Sequence, residues 1–213
     1  MTPRDSATTS TDRERMVERQ LRRRGIYDVR VLAAMSEVPR ELFLPKAQRR
    51  RAYRDGAVRI GEGQTMSQPW IVACMAQLLE LHGSETVLEV GTGSGYGAAV
   101  LSRLCREVVT IERYESLAVR AEETLHELGY DNVVVGVGDG SLGAPERGPF
   151  GGISVTATAR DDPPRALLEQ LEPGAALVCP VDRNGRELLM RFRDGEEEAV
   201  TGVRFVPLVT DSS

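Results

Sequence analysis

The sequence contains little of what marks disulfide-rich, metal-binding or membrane-spanning proteins. It has three cysteines and two histidines in 213 residues, and their wide spacing does not fit a zinc site. Cys74, Cys105 and Cys179 each fall in an apolar segment, so we expect three buried free thiols and no metal. No apolar run reaches the roughly 18 residues that could span a bilayer, which excludes an integral membrane protein.

A secretion signal and a strong excess of one charge are also missing. Residues 1–10 are polar and contain no apolar stretch, so we expect a disordered tail over residues 1–11 and a cytoplasmic protein. The net charge of −5 does not favour nucleic acid as a partner. Two local basic runs, 22–24 and 49–51, are interpreted as solvated helix faces, with a docking surface for an acidic peptide or nucleic acid as the alternative.

Residues 12–213 are expected to form a single domain, because the chain suffices for one sizeable core and is short for two. The first part, 12–82, predicts an N-terminal helical elaboration on the substrate side. Its predicted elements are a helix over 12–24 ended by Gly25, a short helix from Asp28 to near Pro39, a helix around 47–53, an extended link over 56–69 and a helix over 70–81.

Short apolar strands alternate with helices in the second part, 83–213. The pattern predicts strands over 86–90, 108–111, 133–137, 153–155 and 176–180, and helices over 96–105, 116–128 and 165–171. Such alternation implies right-handed crossovers, so the predicted fold is α/β, with a Rossmann-like doubly wound, mainly parallel sheet. Two last segments, 187–192 and 200–206 around Asp194-Gly195, predict an antiparallel hairpin at the sheet edge.

A glycine-rich loop follows the first of these strands. The strand 87–90 runs into Gly91-Thr92-Gly93-Ser94-Gly95 and then a helix, which is where open α/β sheets bind ligands. Glycine permits a sharp turn and a close ligand, and the free N–H groups of the next helix suit an anion such as a methionyl carboxylate. The loop alone also fits the dinucleotide pattern G-x-G-x-x-A over 93–98, so a nicotinamide cofactor is an alternative.

Three acidic residues distinguish between these cofactors. Glu89 precedes the loop, where its carboxylate can reach a ligand ammonium or hold the loop. Glu112 ends the next strand and suits two ribose hydroxyls, a feature shared with nicotinamide enzymes. Asp139 can accept a hydrogen bond from an adenine amino group, although an acid flanked by glycines is also typical of a turn. Each acid follows a successive strand, and together they favour S-adenosyl-L-methionine.

The segment Gly63-Gln64-Thr65-Met66-Ser67-Gln68-Pro69 lies upstream of the glycine loop and carries small hydroxyls and amides. One interpretation is a helix cap, since Ser67 or Thr65 could accept from free N–H groups of the helix that starts near Trp70.

Several ordered motifs, spread over nearly all of 13–208, resemble the protein-L-isoaspartate O-methyltransferase family. The G-Q-T-x-S-x-P segment at 63–69 is the most specific, because many other methyltransferases share the glycine loop. The remaining motifs are V-L-E-V-G-T-G-S-G-Y at 87–96, I-E-R at 111–113, G-D-G at 138–140, Pro164 with L-L-E-Q-L at 167–171, and R-F-V-P-L at 204–208.

The resemblance implies an S-adenosyl-L-methionine-dependent carboxyl O-methyltransferase that acts on L-isoaspartyl residues of damaged proteins or peptides. The methyl ester would close to a succinimide, and S-adenosyl-L-homocysteine would be the second product. Ser67 is implied to be the catalytic residue, with substrate also bound by Thr65, Val206 and Leu208. The implied cofactor-binding residues are Glu89, Gly91, Thr92, Gly93, Ser94, Gly95, Glu112, Arg113, Asp139 and Gly140. We expect a monomer with no nucleic-acid or membrane partner.

The chemistry of this reaction suits a site with few catalytic groups. A carboxylic acid with a pKa of about 4 is ionised at neutral pH, so the acceptor needs no general base. Ser67 is therefore expected to orient the acceptor. A serine nucleophile would need a neighbouring base, and neither His82 nor His126 stands in a recognisable relay with it.

Two departures from the family pattern leave other functions open. Glu62 stands where relatives commonly carry histidine, and Pro149-Phe150-Gly151-Gly152 lacks a usual aspartate. A carboxylate at position 62 would repel an anionic substrate if it pointed inward. The alternatives are esterification of a normal aspartate in one dedicated ribosomal precursor peptide, giving an aspartimide, with the arginine runs holding that peptide; methylation of a small molecule or RNA; and a non-catalytic protein that binds S-adenosyl-L-methionine.

Overall fold

The computed structural model describes residues 3–211, which form six α-helices and ten strands. The helices are α1 (Pro3–Met16), α2 (Val29–Glu37), α3 (Pro69–Leu78), α4 (Tyr96–Leu101), α5 (Glu115–Glu127) and α6 (Arg165–Leu168). The strands are β1 (Val58–Gly61), β2 (Gln64–Met66), β3 (Thr86–Val90), β4 (Glu107–Glu112), β5 (Val133–Val137), β6 (Phe150–Val155), β7 (Ala159–Arg160), β8 (Leu171–Arg183), β9 (Arg186–Arg193) and β10 (Glu196–Gly202).

The first helical run is longer than the sequence predicts. α1 begins at Pro3 and continues through a π-helical turn and a 3-10 turn to Arg24, where Gly25 ends it with a φ of +88°. The expected disordered tail is therefore wrong over residues 3–11, whereas residues 1 and 2 lie outside the described residues. Met16 and Leu21 are buried. Their packing nucleates the helix, and each further turn toward the N-terminus then adds hydrogen bonds at little cost.

The predicted second and third helices are both present in the N-terminal part. α2 has Asp28 as its N-cap, whose carboxylate accepts from the N–H groups of Arg30 and Val31. The third is a 3-10 helix over Lys46–Arg51 that begins after Pro45.

The extended link predicted over 56–69 contains a hairpin instead. β1 and β2 pair antiparallel, and Gly61 stands opposite Gln64 across a two-residue turn. The turn residues Glu62 and Gly63 have φ values of +49° and +70°. Positive φ at both central positions is the conformation that matches the twist of a tight hairpin. The short strands lack a run of alternating apolar residues, which is why the pattern did not predict them.

The main sheet has the strand order β10-β9-β8-β6-β3-β4-β5, with β7 beside β8. All pairings are parallel except those that join β8 to β9 and β9 to β10 at one edge. This arrangement confirms the predicted Rossmann-like α/β fold with an antiparallel edge hairpin and N-terminal helices.

The last predicted strand lies earlier in the chain than expected. β10 covers Glu196–Gly202, and residues 203–206 lie outside the sheet. The reason is that Val203 N–H donates to the Glu187 carbonyl and Phe205 N–H donates to the Glu187 carboxylate. These bonds direct the chain across the end of the sheet, toward the Thr158–Pro207 bridge.

Buried apolar side chains form two clusters on opposite sides of the sheet. Val87 belongs to one cluster and its neighbour Leu88 to the other, as expected for alternate residues of a strand. The first cluster also includes Leu21 and Met35, so the N-terminal helices share a core with the sheet. Cys74, Cys105 and Cys179 are free and buried, as predicted. Within residues 3–211, no helix is both long enough and apolar enough to cross a membrane.

A fully buried arginine joins the N-terminal part to the sheet. Arg40 is 0% exposed; its Nε donates to the Ala52 carbonyl at 2.7 Å and its Nη2 to the Ser67 carbonyl at 2.6 Å. The guanidinium carbon lies 4.7 Å from the centroid of the Tyr96 ring, at the start of α4. A cation above a ring face is attracted by the ring electrons. One side chain therefore connects four separate segments.

We predict that Arg40→Met destabilises the fold. Methionine fills much of the space but cannot donate to the Ala52 and Ser67 carbonyls, and each buried unsatisfied acceptor costs about 1 to 3 kcal/mol. Urea denaturation should show a free energy of unfolding lower by about 2 to 5 kcal/mol. The matched control is Arg50→Met, because Arg50 is exposed and should change stability by less than about 0.5 kcal/mol. Equal stability of the two variants would contradict the role given to Arg40.

Candidate active site

The topology of the sheet creates a cleft at the carboxyl end of β3. From β3 the chain proceeds to β4 and β5 on one side and then returns to β6 on the other, so the connections diverge at this point. Open α/β sheets bind ligands at such a switch point. The cleft, which we name the inner cleft, is lined by Gln64, Thr65, Met66, Ser67, Val72, Glu89, Val90, Gly91, Thr92, Gly93, Ser94, Tyr96, Gly97, Ile111, Glu112, Arg113, Tyr114, Gly140, Thr156, Ala157, Val206, Pro207, Leu208 and Val209.

The glycine loop is held against the end of β6 by Thr156. The Thr156 hydroxyl donates to the Gly91 carbonyl at 2.7 Å, and Gly91 has a φ of +94°. A Cβ atom at Gly91 would lie 2.3 Å from the Thr156 oxygen, which is too close for any side chain. Glycine is therefore required at position 91 both for its backbone conformation and for this contact.

Glu89 is buried beneath the loop. Its Oε2 accepts from the Thr110 hydroxyl at 2.7 Å, and Thr110 is also hydrogen-bonded to Thr92 at 2.7 Å. A Cβ atom at Gly97 would lie 2.2 Å from Glu89 Oε1, so the missing side chain leaves room for the carboxylate. Burial raises the pKa of Glu89 to about 8, with a further contribution from the nearby Glu112. The residue both holds the loop and lines the cleft.

Glu112 is placed at the tip of β4 by two main-chain bonds. Its Oε2 accepts from Gly93 N–H at 2.8 Å and its Oε1 accepts from Tyr114 N–H at 3.0 Å. An ionised carboxylate has about four acceptor positions, so two are left for further donors such as hydroxyl groups.

The C-terminal segment is fastened beside the cleft by Asp139 and Arg113. Asp139 Oδ2 accepts from Asp211 N–H at 2.8 Å and Oδ1 from Ser141 N–H at 2.9 Å. These bonds hold the pKa of Asp139 below its usual value despite partial burial. Arg113 pairs with the Asp211 carboxylate at 2.9 Å. Asp139 therefore lies next to the cleft without lining it, while its neighbour Gly140 does line it.

Ser67 and Thr65 stand where two cavities meet. A second cavity, which we name the outer cleft, shares Thr65, Ser67, Thr156 and Val206 with the inner cleft and extends away from the glycine loop. Arg40 holds the Ser67 carbonyl, and Ser67 itself lies between β2 and α3. The side chain does not cap α3, because no side-chain cap bond is formed there. A ligand in the inner cleft and a peptide in the outer cleft would meet at Ser67.

Most of the residues predicted from the sequence come together at this junction. The lining includes the predicted Thr65, Ser67, Glu89, Gly91, Thr92, Gly93, Ser94, Glu112, Arg113, Gly140, Val206 and Leu208. Gly95 does not line it; with a φ of +84°, it starts α4 instead. Within residues 3–211, no group of three or more His, Cys, Asp or Glu side chains could hold a metal ion.

Three residues that shape the site, Thr156, Tyr96 and Arg40, were not predicted from the sequence. Thr156 follows β6 directly, so its position at the end of a buried strand was an available signal. Arg40 and Tyr96 gave no signal, because their roles depend on contacts between distant segments.

Glu62 points away from both clefts. It is exposed at the β1–β2 turn, and its Oε1 accepts from the Ser116 hydroxyl at 2.8 Å, at the start of α5. Glu62 therefore does not face a substrate in either cleft, and its carboxylate gives no reason to expect repulsion of an anionic substrate.

Comparisons with known proteins agree with this geometry. The family model described as Protein-L-isoaspartate(D-aspartate) O-methyltransferase (PCMT) matches residues 11–213. Protein-L-isoaspartate O-methyltransferase 1 of Syntrophobacter fumaroxidans is 52% identical over 201 residues, which cover 92% of this chain and 94% of the relative. The protein-L-isoaspartate O-methyltransferase of Herpetosiphon aurantiacus is 49% identical over 201 residues, with 92% and 89% covered.

Two solved structures share the fold. One protein-L-isoaspartate O-methyltransferase superposes with a TM-score of 0.80 at 30% identity, covering 92% of this chain and 65% of the longer structure. A Plasmodium falciparum structure of the same description, in complex with S-adenosyl-L-homocysteine, has a TM-score of 0.79 at 23% identity, with 92% and 98% covered. From the match over almost its full length, the chain belongs to the protein-L-isoaspartate(D-aspartate) O-methyltransferase family.

Proposed function

We propose that the chain is an S-adenosyl-L-methionine-dependent O-methyltransferase that esterifies the α-carboxylate of L-isoaspartyl residues in proteins and peptides. The observation that carries the proposal is the junction at Ser67, where the glycine-loop cleft opens into a second cleft. Such a junction lets a donor and an acceptor approach each other from opposite sides. Membership of the family supplies the identity of both ligands.

The inner cleft fits S-adenosyl-L-methionine through its set of polar groups. Glu89 suits the methionyl ammonium, and Glu112 suits the ribose hydroxyls. The N–H groups of Thr92 and Ser94 suit the methionyl carboxylate, whereas those of the three loop glycines already donate within the chain. Asp139 accepts from the adenine amino group in our proposal, using acceptor positions not occupied by Ser141 and Asp211. When bound, the cofactor supplies a methyl group on a positively charged sulfur, which leaves as the neutral thioether of S-adenosyl-L-homocysteine.

Ser67 donates a hydrogen bond to the acceptor carboxylate and directs one oxygen toward the inner cleft. The acceptor is already an anion at neutral pH, so no side chain has to remove a proton. Neither His82 nor His126 lines either cleft. Alignment of reacting groups alone can contribute roughly 7 to 11 kcal/mol, whereas one hydrogen bond to a charged group contributes about 1.5 to 3 kcal/mol. Positioning is therefore the main work of the site.

The methyl ester prepares the substrate for rearrangement. The nitrogen of the following peptide bond attacks the ester carbonyl, methanol leaves, and a succinimide forms. Water then opens the succinimide partly to normal aspartate, which repairs the damaged residue.

The alternatives of a dedicated precursor peptide and of a non-catalytic protein are not needed. Arg22 and Arg23 pair with Glu18, and Arg24 pairs with Asp55, so the first basic run is engaged within the chain. The lining of the clefts retains the glycines, Glu89, Glu112 and Ser67.

We further propose that residues 12–213 act as one domain and that the protein is a cytoplasmic monomer without nucleic-acid or membrane partners. The shared core of the N-terminal helices and the sheet supports one domain. Three buried free cysteines are compatible with a reducing compartment.

A matched pair of peptides tests the proposed reaction. The protein is incubated with labelled S-adenosyl-L-methionine and a peptide that contains either L-isoaspartate or L-aspartate at one position. We expect base-labile methyl ester on the isoaspartyl peptide only. Ester on neither peptide, with S-adenosyl-L-homocysteine still bound, would refute the proposed acceptor while leaving the cofactor in place.

Ser67→Ala is expected to impair methyl transfer, and Asp139→Ala is expected to impair cofactor binding. Loss of the Ser67 hydroxyl should lower kcat/KM for the isoaspartyl peptide by about 10- to 100-fold, equivalent to about 1.5 to 3 kcal/mol, with the Kd for S-adenosyl-L-homocysteine within about twofold. Loss of the Asp139 carboxylate should raise that Kd by about tenfold while sparing kcat at saturating cofactor. Steady-state kinetics and calorimetry measure both.

A control variant tests whether Asp139 affects cofactor affinity through adenine or through the C-terminal segment. Asp211→Ala removes the exposed ion pair with Arg113 but keeps the main-chain bond to Asp139, so it should change the Kd by less than about fivefold. A similar loss in Asp211→Ala and Asp139→Ala would mean that Asp139 acts through this segment rather than through adenine.

Cofactor binding is expected to release a proton from Glu89. With a pKa of about 8, the free carboxyl is mostly protonated at pH 7, whereas the ligand ammonium favours its ionised form. Affinity for S-adenosyl-L-homocysteine should therefore strengthen by roughly tenfold between pH 6 and pH 7. Calorimetry in buffers of different ionisation enthalpy should detect close to one released proton in the wild type and none in Glu89→Gln. Equal proton release in both proteins would exclude Glu89 as the source.

A further inference from the structure

The outer cleft has a wall that the proposed reaction does not use. Beyond the residues shared with the inner cleft, its lining includes Ala57, Gln68, Ile71, Val203, Arg204 and Phe205. The wall is largely apolar and is formed in part by residues 203–206. A peptide whose acceptor lies at Ser67 would pass along this wall with its neighbouring residues.

Arg204 is the only ionisable side chain among the described residues that line the outer cleft. It is exposed and forms no ion pair or side-chain hydrogen bond within residues 3–211. By contrast, Arg183, Arg191 and Arg193 on the neighbouring strands each pair with a glutamate. The charge at position 204 is therefore available to a ligand.

The carboxylates near this wall are already engaged. Glu187 accepts from Phe205 N–H and from the Thr158 hydroxyl. Asp55 pairs with Arg24 and also accepts from Gln68 at the rim of the cleft. Since neither acid pairs with Arg204, the outer cleft presents an uncompensated positive charge on a protein whose net charge is −5.

Arg204 lies on the part of the outer cleft that is not shared with the inner cleft. Val206 lines both clefts and stands at the junction with Ser67, whereas Arg204 lines the outer cleft only. Two residues of extended chain span at most about 7 Å. A substrate in an extended conformation advances about 3.3 Å per residue, so a span of this size corresponds to one or two substrate residues from the acceptor.

We propose that Arg204 forms a subsite for a carboxylate one or two residues from the isoaspartyl residue, supplied by an acidic side chain of the substrate. The proposal rests on the proposed function, because it takes the isoaspartyl residue at Ser67 as its reference. Arg204 determines specificity and does not touch the reacting atoms. It acts on KM and leaves kcat unchanged.

A series of isoaspartyl peptides tests this subsite. One glutamate is moved from two residues before the isoaspartyl residue to two residues after it, and each peptide is compared with its glutamine counterpart. For the wild type, we expect glutamate at one position to lower KM by about two- to fivefold, the range of an exposed ion pair. The preference should disappear in Arg204→Gln, persist in Arg204→Lys, and turn toward lysine in Arg204→Glu.

Arg50→Gln provides the matched control. Arg50 is exposed, has no ion pair within the described residues and lies outside both clefts, so its loss changes the net charge equally. This variant should keep the wild-type preference. Two outcomes would overturn the subsite, provided that the glutamine peptides are still methylated. One is the same preference for glutamate in the wild type and in Arg204→Gln, and the other is no preference for glutamate at any position in the wild type. Absence of methylation on every peptide would instead overturn the proposed function.

Discussion

The buried guanidinium of Arg40 is the contact on which the arrangement of the site depends. It binds the carbonyls of Ala52 and Ser67 and lies against the ring of Tyr96, so it fixes the N-terminal part relative to α4. A cation at 0% exposure is costly to bury unless it is hydrogen-bonded, so the bonds of Nε and Nη2 restrict the positions of these carbonyls. The third nitrogen, Nη1, is buried without a hydrogen-bond partner among the described residues. Ser67, to which we assign the acceptor carboxylate, is thereby placed by a buried residue that lines neither cleft.

The sheet provides the second constraint. Parallel strands end at the same edge, and the chain reverses its direction of travel across the sheet at β3, which leaves a gap between the connections after β3 and β6. Thr156 lies in this gap and donates to the Gly91 carbonyl. Glu89 contacts the glycine loop from its buried side, through Thr110 and Thr92. A binding loop held from two sides is already arranged before a ligand arrives, which reduces the ordering cost of binding.

The two clefts divide the recognition of donor and acceptor. The inner cleft carries Glu89 and Glu112, to which we assign the ammonium and ribose hydroxyls of the cofactor. The outer cleft carries Arg204, to which we assign a carboxylate of the peptide. Glu62, the substitution that raised doubt about an anionic substrate, is bound to Ser116 outside both clefts.

The sequence by itself determined the alternation of strands and helices, the glycine loop, and the acids at the strand ends, because these follow from local periodicity and turn chemistry. It also identified the serine segment through its resemblance to a family. The sequence did not predict the β1–β2 hairpin, the early end of β10 or the helix over residues 3–11. Nor did it predict the contacts of Arg40, Thr156 and Glu62. These features depend on hydrogen bonds between groups that are distant in sequence. Ser116 donates to Glu62, Phe205 N–H donates to Glu187, and Arg40 donates to the Ser67 carbonyl. Only the tertiary structure decides such pairings, because burial makes an unpaired polar group costly, whereas a sequence pattern records only which residues are near each other along the chain.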